Sequence, residues 1–196
     1  KKEVLKARAA IQTTGNVSLL ARKTYNVLLA NAYDDIANTE QHVMSIANLK
    51  KGLRSRSKRF DSIKEACTEL RDAKVEWNIL DAKGKENWGI TGLIAEAEIK
   101  NGSIIYAYGP KMRKLLQTKH IYARINLLVQ SKFKSKYSLI IYELCYDFKK
   151  YGTSPILLEN LRELLGLEGK HPKFSTLNRD VLKPAIKEIN AKENKT

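Results

Sequence analysis

The chain repeats itself at long range. Tyr25-Asn-Val-Leu-Leu29 reads like Tyr137-Ser-Leu-Ile-Ile141, an offset of 112 residues, and Asn48-Leu49-Lys50 with Leu53 reads like Asn160-Leu161-Arg162 with Leu165 at the same offset. Phe60, Ile63 and Cys67 then match Phe174, Leu177 and Val181 at identical internal spacing, the offset having grown to 114. Three matches in one order at nearly one offset imply two copies of one small fold. The length, 196 residues, has room for two small domains. The repeat places them at 1–120 and 121–196.

In the first copy Leu19, Leu20, Tyr25, Leu28, Leu29 and Ala32 form an apolar stripe at helical spacing, opened by Ser18 as N-cap. A short helix is expected near Ser45 to Leu53, stopped or loosened around Gly52, and a third from about Ser57 to Ala73 with Phe60, Ile63, Cys67 and Leu70 inward. The period then changes. Lys74 to Leu80 alternates like a half-buried strand and Asp81 to Asn87 is a polar turn; Trp88 to Lys100 and Ser103 to Tyr108 read as two strands joined by a type I′ turn at Asn101-Gly102. Three helices followed by a β-hairpin is the winged-helix arrangement, whose third helix enters a DNA major groove.

The second copy opens with Tyr122 to Val129 as a strand and Ser135 to Lys149 as a helix, with Tyr137, Ile140, Ile141, Leu144 and Phe148 on one side. Glu159 to Leu165 is a short helix ended by Gly166, and the third helix runs from about Ser175 to Ile189. Where a second wing is due, the sequence runs Ala191 to Thr196 and stops, so that wing is expected to be incomplete. The first residues, Lys-Lys-Glu, carry neither Met nor an apolar signal segment, which reads as a trimmed chain of the cytoplasm. Cys67 and Cys145 lie in apolar helical patterns and are expected as buried free thiols of a reducing compartment.

Charge narrows the partner. The formal net charge is +15, and no Asp or Glu occurs from Ile99 to Tyr142 while nine Lys and Arg do; Lys50, Lys51, Arg54, Arg56, Lys58 and Arg59 form a second basic block. Each block alone also fits a solvated face, but two in one small chain point to a polyanion, with nucleic acid the usual one. An anionic membrane surface would need an uncommitted amphipathic helix, and the apolar runs are far shorter than a bilayer span.

Catalysis finds little support. His42, His120 and His171 are isolated from one another and from ligand-spaced Cys or Glu, and no Walker-type loop is present. Neither a cofactor nor a metal is expected. The nine tyrosines leave a nucleophile conceivable, but Tyr25, Tyr137 and Tyr142 fall in apolar helical stretches where core packing is the simpler role.

Tyr137-Ser138 with Tyr142-Glu143-Leu144, then Leu161-Arg-Glu-Leu-Leu-Gly-Leu167, then Val181-Leu-Lys-Pro-Ala-Ile-Lys-Glu-Ile-Asn190 resemble the iteron-binding plasmid replication initiators, the winged-helix Rep proteins. Leu19-Leu-Ala-Arg-Lys-Thr-Tyr-Asn-Val-Leu-Leu29 is similar to the first helix of that family. The resemblance implies a helix-rich α+β fold of two tandem winged-helix domains related by pseudo-twofold symmetry. It implies binding to short direct repeats, the iterons, at a plasmid origin, with monomers melting DNA and recruiting host helicase, and homodimers binding an inverted repeat to repress their own gene.

On the last helix, Phe174, Leu177, Val181, Leu182, Ala185, Ile186 and Ile189 are expected inward, leaving Ser175, Thr176, Asn178, Arg179, Asp180, Lys183 and Lys187 outward. Ser175, Thr176, Asn178, Arg179 and Lys183 are the candidate base readers, because Arg forks onto guanine and Asn onto adenine. The alternative for Arg179 is plain solvation, or a pairing with Glu188 or Asp180. Pro184 should free the carbonyl of Asp180 and bend the helix.

Arg54, Arg56, Lys58, Arg59 and Lys64 are candidate phosphate clamps, since Asp61, Glu65 and Glu69 would keep the first unit's third helix out of a groove. Lys132, Lys134, Lys136, Lys173 and Lys187 complete the backbone contacts. The first unit is thus expected to position and the second to specify. A winged-helix transcriptional regulator shows the same pattern, and so does an interaction module that dimerises through the edge of the strands from Trp88 to Tyr108.

Overall fold

A computed structural model describes residues 3–7, 17–54, 61–80, 86–117, 122–148 and 156–193. Strand β1 (Glu3–Ala7) is followed by helix α1 (Leu19–Ala32), β2 (Gln41–Ser45), α2 (Ile46–Leu53), α3 (Asp61–Asp72) and the strands β3 (Val75–Leu80) and β4 (Glu86–Thr91). Then come β5 (Glu96–Lys100), β6 (Ser103–Ala107), α4 (Pro110–Gln117), β7 (Tyr122–Asn126), α5 (Leu127–Ser131), α6 (Lys136–Phe148) and α7 (Leu158–Leu165). The last helix comprises α8 (Phe174–Leu177), a π turn (Asn178–Leu182) and α9 (Lys183–Glu193). No described helix is long and apolar enough to cross a membrane.

Helix α1 is the axis of the molecule. Ser18 caps it by accepting the Ala21 N–H, as expected, and the Ser18 N–H in turn donates to the Glu69 carboxylate at 2.6 Å, tying the start of α1 to α3. Glu69 is therefore a structural acceptor rather than one of three free carboxylates on the α3 surface. Ile63, Ala66, Cys67 and Leu70 turn inward from α3 at helical spacing.

Helix α2 keeps Ser45 as N-cap but does not stop at Gly52; it closes on Arg54, in the left-handed region at φ 50°, whose N–H reaches the Lys50 and Lys51 carbonyls. Gly52 serves close approach instead. A Cβ there would lie 2.7 Å from Val27 Cγ1, so the missing side chain lets α2 lie on α1.

The expected strand from Trp88 to Lys100 is two strands. β4 pairs with β3 as a hairpin directly after α3, Val75 opposite Thr91 and Leu80 opposite Glu86, whereas β5 joins a second sheet of order β2-β6-β5. The break falls at Gly92, where a Cβ would meet the Arg71 carbonyl oxygen at 2.4 Å and where the Leu93 N–H donates to the Leu70 carbonyl. The chain turns inward against the end of α3 and buries Leu93 and Ile94 before β5 begins. Asn101 and Gly102 both have positive φ, 49° and 71°, as the I′ turn between β5 and β6 requires. Tyr106 on β6 docks this sheet on α1: its hydroxyl donates to the Leu28 carbonyl at 2.7 Å and accepts from Asn31.

In the second half, the strand expected from Tyr122 to Val129 ends at Asn126, whose side chain caps α5 by accepting the Leu128 and Val129 N–H groups. β7 pairs antiparallel with β1, Glu3 opposite Asn126. α7 closes on Gly166 at φ 64° with the Leu167 N–H on the Arg162 carbonyl, the cap expected from the sequence. Cys67 is buried, but Cys145 is exposed: α6 is covered from Ser138 through Leu144, and Cys145 is the first residue past that cover. Phe60 and His120 lie outside the described residues.

The two units share one contiguous apolar core instead of having one each. α1 from the first packs against α5 and α6, and a polar cluster sits in the seam. Asn26 donates to Gln130 Oε1 at 2.7 Å and to Glu143 Oε1 at 2.6 Å. Arg22, 2% exposed, lies beside Glu143, 0% exposed. Lys23 donates to the Ser131 and Phe133 carbonyls between α5 and α6.

Candidate nucleic-acid interface

The last helix presents its face through an irregularity that its own sequence imposes. Pro184 has no N–H, and its ring would clash with the Asp180 carbonyl in a regular helix. The chain widens just before it: over Asn178–Leu182 the bonds span five residues, the Lys183 N–H reaching the Asn178 carbonyl. This π turn is not predicted by the periodicity of the sequence. It leaves Leu177, Val181 and Ala185 in a row four residues apart as the buried edge, with Leu182 and Ile189 half-buried.

Two expected core residues are turned out: Phe174, at the start of the helix before the π turn, is 55% exposed, and Ile186, past it, is 48% exposed.

Opposite that edge, Ser175, Arg179, Lys183 and Lys187 are exposed and Thr176 and Asn178 half-buried. All five candidate base readers thus lie on one helix, none of them buried. Thr176 Oγ1 donates to the Lys173 carbonyl at 2.8 Å, so this hydroxyl is engaged in the first turn. Lys173 itself is exposed at the N-cap. The Arg179 guanidinium forks onto its neighbour: Nε to Asp180 Oδ1 is 2.6 Å and Nη2 to Oδ2 is 2.9 Å. That donated fork holds the Asp180 carboxyl below its ordinary pKa.

The start of this helix is braced from α7. Arg162 Nη2 donates to the His171 and Pro172 carbonyls at 3.1 and 2.8 Å, holding the turn in which His171 takes φ 52°. His171 Nδ1 lies 3.7 Å from Asp180 Oδ2.

Glu188, one of the two partners considered for Arg179, is committed elsewhere: its carboxylate accepts the Lys134 N–H at 2.7 Å and the Ser135 N–H at 3.3 Å. It therefore caps the start of α6 and fixes the last helix against it. Arg162 and Glu188 position the last helix, and sequence reasoning missed both. Their partners are backbone groups, nine and ten residues on for Arg162 and more than fifty back for Glu188, which no spacing rule connects.

Between α6 and the last helix runs an open groove of about 540 Å³ whose walls include Lys134, Ser135, Pro184 and Lys187. Lys134 and Lys187 are thus brought together beside the helix. Lys132 is half-buried, and Lys136 holds its ammonium 5.3 Å from the centre of the Tyr137 ring. Burial, then the neighbouring positive charges of Arg22 and Lys170, lowers the Lys136 pKa.

The first unit's clamps are less concentrated. Arg54 is exposed at the end of α2, beside a cleft it shares with Lys51 and Asn48. Lys64 is exposed on α3 with Asp61 at 3.7 Å. Arg56, Lys58 and Arg59 lie outside the described residues.

No protein of curated function matches this chain by sequence. Among solved structures, the chain is similar to the Pi initiator protein crystallised in complex with iteron DNA: TM-score 0.73, 19% identity, covering 98% of this chain and 87% of that one. At that identity the likeness concerns the fold. Two family models match in tandem, "Initiator Replication protein, WH1" over residues 3–146 and "Initiator Rep protein, WH2" over 157–195. Their bounds leave α6 with the first match, whereas the internal repeat assigns it to the second unit. Together they span nearly the whole chain, which belongs to the replication initiator (Rep) family and carries both of its winged-helix domains.

Proposed function

We propose that this protein binds double-stranded iteron DNA at a plasmid origin, as a non-catalytic protein of the cytoplasm, and thereby initiates plasmid replication. The observation that carries the reading is the last helix: Ser175, Asn178, Arg179 and Lys183 stand outward over a buried row of Leu177, Val181 and Ala185, in the domain that the family model identifies as the second winged helix. The solved relative with the same fold is bound to iteron DNA.

In this reading the last helix lies in a major groove and reads base edges with its first turns. Lys134 and Lys187, flanking the groove beside it, hold the phosphates, with Lys132, Lys136 and Lys173 next to them. The first unit grips the backbone through Arg54 and Lys64 and through Arg56, Lys58 and Arg59. Recruitment of host helicase by the monomer, and repression by a homodimer on an inverted repeat, complete the role that the family resemblance implies.

A winged-helix regulator without initiator activity is the second reading, favoured by the same exposed helix. Mobility shifts on duplexes carrying the origin's direct repeats, one inverted repeat, or a scrambled sequence separate the two. An initiator fills the direct repeats in successive steps. A regulator binds the inverted repeat alone, and equal binding to all three duplexes contradicts both readings.

A further inference from the structure

Arg179 and Asp180 are adjacent in sequence within the π turn, and their side chains meet in a side-on fork of two hydrogen bonds, 2.6 and 2.9 Å, that uses both carboxylate oxygens. Neighbouring long and short side chains reach each other on a regular helix too, as Arg71 Nε does to Asp72 Oδ1 at 2.9 Å at the end of α3. His171 Nδ1 lies 3.7 Å from Asp180 Oδ2, the oxygen that also accepts Arg179 Nη2, in a turn that Arg162 braces.

The donors left on Arg179 matter most. A guanidinium has five N–H groups. Asp180 takes the one on Nε and one on Nη2, so the end of the fork, Nη1 with the outer hydrogen of Nη2, still points away from the carboxylate. Two parallel N–H donors at that end match O6 and N7 of guanine. A long, exposed arginine, 73% accessible along its side chain, would otherwise have many rotamers to lose on binding. The carboxylate that restrains it also lowers the pair's net charge to zero, which removes part of the sequence-blind attraction to phosphate.

We infer that Asp180 is a specificity-determining residue that buttresses Arg179 for end-on reading of a single guanine. This rests on the reading above that the last helix enters the major groove. Asp180 touches the reader rather than the base. Its removal has two opposite effects: preference for guanine at one position falls, while affinity for unrelated DNA rises.

The test is selection of bound sequences from a randomised duplex library by the wild-type chain and by the Arg179→Ala, Asp180→Asn and Asp180→Ser variants, each checked for native circular dichroism. Salt-dependent affinity for a scrambled duplex is measured alongside. The wild type is expected to select a defined site, Arg179→Ala to lose one guanine from it, and both Asp180 variants to weaken that same guanine by about tenfold while binding scrambled DNA more tightly. If Asp180→Asn and Asp180→Ser keep the wild-type guanine preference while Arg179→Ala loses it, the buttress is wrong and the groove reading stands. If Arg179→Ala also selects the wild-type site unchanged, Arg179 is no base reader and both ideas fall for this residue.

Discussion

The Asn26 carboxamide donates a 2.6 Å hydrogen bond to the Glu143 carboxylate across the seam between α1 and α6. Glu143 is wholly buried, and its nearby counter-charge, Arg22, is 2% exposed. Buried charges are expensive unless paired, so losing one partner costs more than the pair itself contributes. Glu143→Gln leaves the Arg22 guanidinium without its neighbour and should lower the unfolding free energy by about 3 kcal/mol. Asn26→Ala should cost about 2 kcal/mol, since a hydrogen bond to a charged group is lost. Urea titrations read both, and changes below about 0.5 kcal/mol would show that the seam does not depend on these groups.

Gly52 permits the contact between α2 and α1, because a Cβ would lie 2.7 Å from Val27 Cγ1. Gly52→Ala should therefore destabilise by about 1–3 kcal/mol, against the usual helical preference for alanine. Val27→Ala removes the obstructing methyls, so the double variant should lose less than the sum of the single losses. Strict additivity in thermal melts would contradict the packing account.

His42 is buried against the rings of Tyr106 and Tyr108, with centroids 5.6 and 5.9 Å away. Burial lowers its pKa below the ordinary 6.5; the Asp35 charge opposes this and the Arg113 charge adds to it. Between 6.5 and the lower folded value the unfolded chain binds more protons, so this contribution to stability is complete above 6.5 and is lost as pH falls through that window. His42→Phe should remove that part of the acid sensitivity. Identical pH profiles for wild type and variant in chemical unfolding would contradict it.

Lys134 and Lys187 flank the groove beside the last helix. If both touch phosphate, each change to Ala weakens binding to iteron and scrambled duplexes alike and flattens the salt dependence of log K by about 1. A loss confined to the iteron duplex would make them base readers instead.

Much of this architecture is legible in the sequence because short-range rules govern it. Ser18 and Ser45 as caps, Gly166 as a stop and Asn101-Gly102 as a hairpin turn each depend on a few neighbouring residues. The misreadings arise where a distant partner decides. Gly52 looks like a helix stop until Val27 is seen beneath it, and Gly92 splits a strand because the end of α3 lies against it.

On the last helix the outward set follows from periodicity, but Phe174 and Ile186 are exposed rather than inward, Phe174 before the π turn and Ile186 after it. Pro184 is the signal in the sequence: the proline that predicts a bend and a freed carbonyl is accompanied here by a widened turn.

In the proposed function the outward face of the last helix touches base edges within the iterons. Thr176→Cys in a Cys145→Ser background places a photoactivatable crosslinker in its first turns, the remaining thiol, Cys67, being buried. Illumination on the origin fragment, followed by mapping of the adducts, should give crosslinks to bases at one fixed position in every repeat. Adducts scattered equally over repeats and flanking DNA, or none despite full binding, would contradict it.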